Sequence, residues 1–135
     1  MSQASPVYQG SCLCQGIRYE IKGDIGDIIQ CHCQRCRKSN GTHLPPMLLL
    51  KVQILKLPNE DLVKKFAVNG VYRWFCSECG SPLISSRDAQ PELYRVRIGS
   101  LDTPLDQKPT MHIFAASKAE WESICDDLPQ YDERP

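Results

Sequence analysis

Apolar and polar residues alternate with a period of two along Ile17-Arg18-Tyr19-Glu20-Ile21-Lys22, the pattern of a half-buried antiparallel strand. Gly23-Asp24 and Gly26-Asp27 mark a turn, and Ile28-Ile29-Gln30 reads as a short strand after it. Gln34 to Ser39 has the character of a helical turn that Gly41 would stop. Pro45-Pro46 open the apolar run Met47-Leu48-Leu49-Leu50, a buried strand, and alternation at Val52, Ile54 and Leu57 suggests another. Asn69-Gly70 lies between Phe66–Val68 and Val71–Phe75, which predicts a hairpin closed by a type I′ turn. Leu83-Ile84 and Leu93–Ile98 read as further strands; in the second, Leu93, Arg95 and Arg97 share one face and Tyr94, Val96 and Ile98 the other. Gly99-Ser100-Leu101-Asp102 turns the chain towards a strand over 112–116. Ser117 with Glu120 forms a capping box, which predicts a helix carrying Trp121 and Ile124 up to Pro129, with a frayed tail from Tyr131 to Pro135. The expected fold is mainly β: several small antiparallel sheets with short helices, in a single domain over residues 1–135.

Composition narrows the function. The 135 residues include 16 basic and 16 acidic side chains, so net charge is zero and nothing favours nucleic acid or an anionic membrane as partner. No apolar run reaches the roughly 20 residues that span a bilayer, and the opening residues 1–6 lack the character of a secretory signal. The expectation is a cytoplasmic protein with a small-molecule partner.

Eight cysteines are the compositional anomaly, and seven fall in three close clusters: Cys12/Cys14, Cys31/Cys33/Cys36 and Cys76/Cys79. A reducing compartment argues against disulfides. So does spacing, because residues two apart on a strand project in parallel. Metal binding is the better reading, and clustered thiolates suit zinc. Two plus two makes a complete four-sulfur site, so Cys12 and Cys14 are paired with Cys76 and Cys79. In Cys76-Ser77-Glu78-Cys79-Gly80 the glycine can adopt positive φ and let backbone amides approach the sulfurs. Trp74 and Phe75 would pack around that metal.

Cys31, Cys33 and Cys36 form a second, incomplete set, and three ligands leave one tetrahedral position open, as catalytic zinc does. A distant His, Asp or Cys125 could instead complete it as a second structural site. Arg35, Arg37 and Lys38 stand beside it; they would offset the formal −1 of zinc with three thiolates and could receive a ligand's carboxylates. His32 falls on the opposite strand face and reads as a packing or hydrogen-bonding residue. His43 and His112 are isolated, with no metal role, and Cys125 reads as a small buried hydrophobe.

The set of motifs resembles the glutathione-dependent formaldehyde-activating enzyme family. It comprises Gly10-Ser11-Cys12-Leu13-Cys14-Gln15-Gly16, Cys31-His32-Cys33-Gln34-Arg35-Cys36-Arg37-Lys38, Arg73-Trp74-Phe75-Cys76-Ser77-Glu78-Cys79-Gly80-Ser81, Gly99-Ser100-Leu101-Asp102, His112-Ile113-Phe114, Trp121 and Asp127-Leu128-Pro129. The resemblance implies a fold shared with Rab-binding zinc proteins and zinc-containing methionine sulfoxide reductases. It also implies two zincs, structural on Cys12, Cys14, Cys76 and Cys79 and catalytic on Cys31, Cys33 and Cys36. The implied activity is addition of glutathione to formaldehyde, a carbon–sulfur lyase reaction in reverse. This chain is shorter than the enzyme that names the family, so loops that enclose glutathione there are expected to be missing and the substrate to differ. Three other functions share the same site: a non-catalytic glutathione or thiol carrier, a zinc-binding interaction module like the related centromere protein V, and a thiol-redox protein.

Overall fold

A computed structural model describes residues 7–23, 25–43, 47–52 and 54–135, with only the backbone described at 47, 49–52, 54 and 55. The fold is mainly β. Among the described residues, β1 (Val7–Ser11), β2 (Arg18–Lys22) and β5 (Ile54–Lys56) form a three-stranded antiparallel sheet in the order β1-β2-β5. A seven-stranded sheet contains β3 (Ile28–Cys31), β4 (Met47–Val52), β6 (Val63–Val68), β7 (Val71–Cys76), β8 (Pro82–Arg87), β9 (Gln90–Arg97) and β10 (Met111–Ile113). Its order is β10-β3-β4-β9-β8-β7-β6, antiparallel throughout except that β10 lies parallel to β3. One helix, α1 (Gln34–Asn40), follows β3 and ends on Gly41 in the left-handed region. The Gly23-Asp24 turn, the Pro45-Pro46 opening, the side-chain alternation at Val52 and Ile54 and the segment 1–6 fall wholly or partly outside the described residues.

The alternation in β2 behaves as its pattern requires: Tyr19 and Ile21 are buried while Arg18 and Lys22 are exposed. Tyr19 and Ile21 join Ile17, Ile28, Ile84 and Val96 in the main apolar core. Asn69 and Gly70 both take positive φ, 50° and 76°, as a type I′ turn demands, and β6 pairs with β7 from Val68↔Val71 to Val63↔Cys76. The turn after β9 clips back onto β1, where Ser11 Oγ donates to Asp102 Oδ2 at 2.7 Å and the Asp102 amide reaches the Gln9 carbonyl at 2.8 Å.

The carboxy-terminal expectations need correcting. No helix follows Ser117: Ala115–Ser117 is a single 3-10 turn, and Lys118 beyond it has ψ 139°. Eleven residues between the cap and Pro129 leave little length to repay helix nucleation. The Lys118 ammonium takes the Glu122 carbonyl at 2.6 Å, an acceptor a continuing helix would have used. The strand expected over 112–116 stops at Ile113, because Phe114 turns into the left-handed region with φ 53°. The tail is not frayed. It runs beside β10, with the Tyr131 amide on the His112 carbonyl at 3.0 Å and the Ala115 amide on the Tyr131 carbonyl at 2.9 Å. Cys125 is exposed rather than buried. Trp121 anchors no helix; it is exposed, donates to the His43 carbonyl at 2.9 Å and stacks under the Arg37 guanidinium.

Gly10 lies opposite Tyr19 in the β1–β2 ladder, and a Cβ there would overlap the phenol ring. That ring is locked in place by Tyr19 Oη···Ser100 Oγ at 2.5 Å. Gly10→Ala is therefore expected to cost about 1–3 kcal/mol through overpacking, measured as a lower urea midpoint at unchanged m. An unchanged midpoint would mean that the ring is free to move aside.

Candidate metal centres

Two clusters of sulfur emerge from separate parts of the fold. In the first, Cys12 opens a tight turn after β1 in which Gln15 takes φ 69° and its amide closes on the Cys12 carbonyl at 3.0 Å. Cys76 ends β7, and Gly80, with φ 76°, lets its amide return to the Cys76 carbonyl at 2.8 Å. These two turns bring the sulfurs of Cys12, Cys14, Cys76 and Cys79 within 4.8 Å of one another. Backbone amides point at the sulfurs as anticipated: Ile17 N to Cys12 Sγ at 3.3 Å, and Glu78 N and Cys79 N to Cys76 Sγ at 3.4 and 3.5 Å.

The acidities in this quartet are pulled apart. The Ser81 hydroxyl, at 3.2 Å, is the main cause that brings Cys79 down to about 5. The Gly16 backbone pulls Cys14 downward, but the hydrogen bond to Cys12, together with burial and Cys76, takes it up to about 12. Four sulfurs around one zinc at about 2.3 Å stand roughly 3.8 Å apart. Cys12···Cys14 at 3.5 Å and Cys14···Cys76 at 3.7 Å fit that tetrahedron. Trp74 packs on the same core as Cys12 and Cys76, edge-on to Tyr94.

The second cluster forms where β3 meets α1. Cys31 is the last residue of β3 and projects from the same face as Ile29. Cys33 caps α1, its sulfur accepting from the Cys36 amide at 3.2 Å, and the first helical turn swings Cys36 back. The three sulfurs lie within 4.8 Å of one another, and among the described residues no fourth Cys, His, Asp or Glu joins them. Cys125, the distant partner considered from sequence, is absent from that group. Hydrogen bonds from Cys31 and Cys33, reinforced by the charges of Arg97 and Arg73, push Cys36 down to about 2. Hydrogen bonding with Cys33, then with Cys36, pushes Cys31 up, and burial adds to the shift. Cys33 also rises: its bond with Cys31 opposes the shift, but the bond with Cys36 and burial outweigh it. Both donor sets are all sulfur, so both clusters can hold metal ions and fit zinc.

Behind the trio, His32 is buried and joined to His112 by Nε2···Nδ1 at 2.8 Å, and His112 Nε2 meets Asp126 at 3.0 Å. His32 is thus the hydrogen-bonding residue its strand face suggested, whereas His112 is not isolated. Burial, then the His112 charge, lowers the His32 pKa. The pair could not be found locally, because its members stand 80 residues apart and meet only through the parallel β3–β10 pairing.

In front of the trio opens a cavity of about 630 Å³ lined by all three cysteines. Of the basic residues singled out from sequence, Arg35 lines the cavity from an exposed position. Arg37 is spent on Trp121, and Lys38 is exposed and away from the lining. Sequence reasoning missed Arg73, Arg87, Arg95 and Arg97, which line the cavity from β7, β8 and β9. The signal was present in the alternation of β9, where Arg95 and Arg97 share a face, but charged positions on a strand ordinarily face water.

The chain belongs to the family of glutathione-dependent formaldehyde-activating enzymes, whose family model matches residues 7–117. A search of curated proteins finds no match. The fold is similar to that of a crystal structure of a Rhodobacter sphaeroides protein, at TM-score 0.56 and 16% identity, covering 90% of this chain and 98% of that one. Among the described residues no helix is long and apolar enough to cross a membrane.

Metal binding at the trio has a definite pH dependence. Cys36 is already a thiolate at neutral pH, whereas Cys31 and Cys33 are raised and hold protons that a metal must displace. Affinity therefore rises with pH, by up to about 100-fold per unit if about two protons leave. Competition with a chromophoric chelator at pH 6.5, 7.0 and 7.5 is expected to show zinc lost on the acid side. Affinity independent of pH would contradict thiol ligation.

Proposed function

We propose that the chain catalyses reversible addition of a thiol to a small aldehyde, as glutathione adds to formaldehyde to give S-hydroxymethylglutathione. In the reverse direction this is a carbon–sulfur lyase. The observation that carries the proposal is the three-sulfur set, which no fourth donor joins among the described residues, opening into a cavity. The quartet is assigned a structural zinc. It joins the segment after β1 to the end of β7, about sixty residues away, and a closed four-thiolate site contributes to folding directly. Cys31, Cys33 and Cys36 are assigned the second, catalytic zinc. When bound, that ion supplies an open coordination position and Lewis acidity for the reacting partner.

The remaining work belongs to the chain. Ile29, Leu48 and Ile113 give the cavity an apolar wall beside the sulfurs, which excludes water from the reactants. Holding thiol and aldehyde together there converts a bimolecular encounter into an effectively unimolecular one. The sulfur attacks the carbonyl carbon, a C–S bond forms, the carbon–oxygen π pair moves to oxygen, and the proton given up by the thiol ends on that oxygen. Nothing leaves and no redox partner is needed. The proposed setting is the cytoplasm, whose reducing poise keeps eight unpaired cysteines as thiols.

Two variants test the division of labour. Cys33→Ser is expected to keep the fold and one zinc while the catalysed rate of adduct formation falls at least about 100-fold, since even an outer partner of a metal ligand commonly matters 10- to 100-fold. Cys76→Ser is expected to lose cooperative unfolding together with the first zinc. Exchange NMR of glutathione with formaldehyde reads the rate, and elemental analysis reads the metal. A Cys33→Ser protein with two zincs and full activity would refute the assignment. Tight thiol binding with no effect on rate in the wild type would make the protein a carrier.

A further inference from the structure

The face of the large sheet that looks into the cavity carries more positive charge than the sulfur site can use. Strand register sets out how that face is built. Arg73 pairs with Ser85 and Ser85 with Arg95, so Arg73, Ser85 and Arg95 form one row across β7, β8 and β9. Arg87 lies two residues along from Ser85 and Arg97 two along from Arg95, on the same face. Arg97 continues through Leu48 to Ile29, and Cys31 follows Ile29 on that face. The opposite face, with Trp74, Ile84 and Val96, belongs to the main core. Both faces of these central strands are therefore committed, one to an apolar core and the other to arginine.

The four guanidiniums divide into an inner and an outer pair. Arg97 and Arg73 are the charges that chiefly lower Cys36, while Arg95 feels Cys31 and Cys36 more weakly than it feels Arg87. Arg97 is only 5% exposed, with one bond to Ser39 Oγ at 3.3 Å and its Nε and Nη1 unpartnered. A zinc with three thiolates, at formal charge −1, is more than balanced by this inner pair. Arg87 and Arg95 are in excess. Burial lowers the pKa of both; the Arg134 charge adds to the shift on Arg87, and the Arg87 and Arg134 charges add to that on Arg95, which is brought down to about 10. Among the described residues neither is ion-paired with a carboxylate; Arg87 has one long bond to Gln90 at 3.4 Å and an unpartnered Nε. The acidic groups at the rim, Asp132 and Glu133, are exposed and pair with neither. Partly desolvated like charges without a counter-ion are costly, and a cavity of about 630 Å³ is of the size that takes a tripeptide-scale ligand.

We propose that Arg87 and Arg95 form an oxyanion subsite, so that the thiol taken by this site carries a carboxylate or phosphate group reaching past the three cysteines to β8 and β9. This rests on the thiol–aldehyde reading above, and it replaces Arg35, Arg37 and Lys38 as the anion-receiving residues. Guanidinium forks match carboxylate and phosphate bidentately.

The test measures binding without aldehyde, so that it can succeed even if turnover fails. Calorimetry on the zinc-loaded protein would compare glutathione with its diethyl ester, in which both carboxylates are masked. Glutathione is expected to bind at least about tenfold more tightly than the ester. Arg95→Gln and Arg87→Gln should each weaken glutathione about tenfold, the loss of one charge-assisted contact, with ester binding and zinc content unchanged. Both residues are half-buried, and thermal unfolding would verify that each variant is folded. Competition by inorganic phosphate or by glutarate identifies the group as phosphate or carboxylate. Equal binding of acid and ester, failure of both competitors, or loss of zinc in parallel with loss of affinity would overturn the subsite.

Discussion

Thiolates cannot be gathered without a cation. Bringing three or four sulfurs within 4.8 Å sets like charges against each other unless protons or a metal neutralise them, and two such gatherings fix the form of this chain. The first ties the turn after β1 to the end of the β6–β7 hairpin, so the small sheet is held against the large one at the point where their cores meet. The second pins the junction of β3 and α1. Each uses short-range devices to aim its sulfurs: positive φ at Gln15 and Gly80, a cysteine N-cap on α1, and amides directed at sulfur.

The two sites differ in what surrounds them. The quartet sits against the apolar core and satisfies itself. The trio is unfinished on the side facing a cavity, and on its other side is backed by the His32–His112–Asp126 chain. Parallel pairing of β10 with β3 places that chain, and the tail running alongside β10 keeps it closed. Segments far apart in sequence thus serve one loop of six residues. An arginine-bearing strand face opposite the same loop gives the cavity a sign as well as a shape.

What could be read in advance was whatever has a local cause. Asn69-Gly70 announced its turn because only certain residues tolerate two successive positive φ values. Cysteine spacing announced both clusters because C-x-C and C-x-x-C each bring sulfurs together within one turn or strand. Gly41 stopped α1 for the reason glycine usually does. The errors have physical causes too. Ser117 and Glu120 have the spacing of a capping box, yet such a pattern does not nucleate a helix when Lys118 captures the Glu122 carbonyl and Pro129 stands so near. Cys125 has no buried environment because the helix that would have provided one does not form. His112 and the arginines of β7 to β9 carry no local signature, since a strand position shows its neighbour only after register is known. Basic residues adjacent in sequence to the trio drew attention, while those adjacent in space were left out.

The most direct test of the division of sulfurs is zinc K-edge X-ray absorption with metal analysis on protein purified without chelator. Expected are two zincs per chain and Zn–S distances near 2.3 Å. The expected mean is about 3.5 sulfurs per zinc, with the balance a light atom at about 2.0 Å, because the quartet offers four thiolates and the trio three. A single zinc with four sulfurs, or two zincs each bound by four, would contradict it.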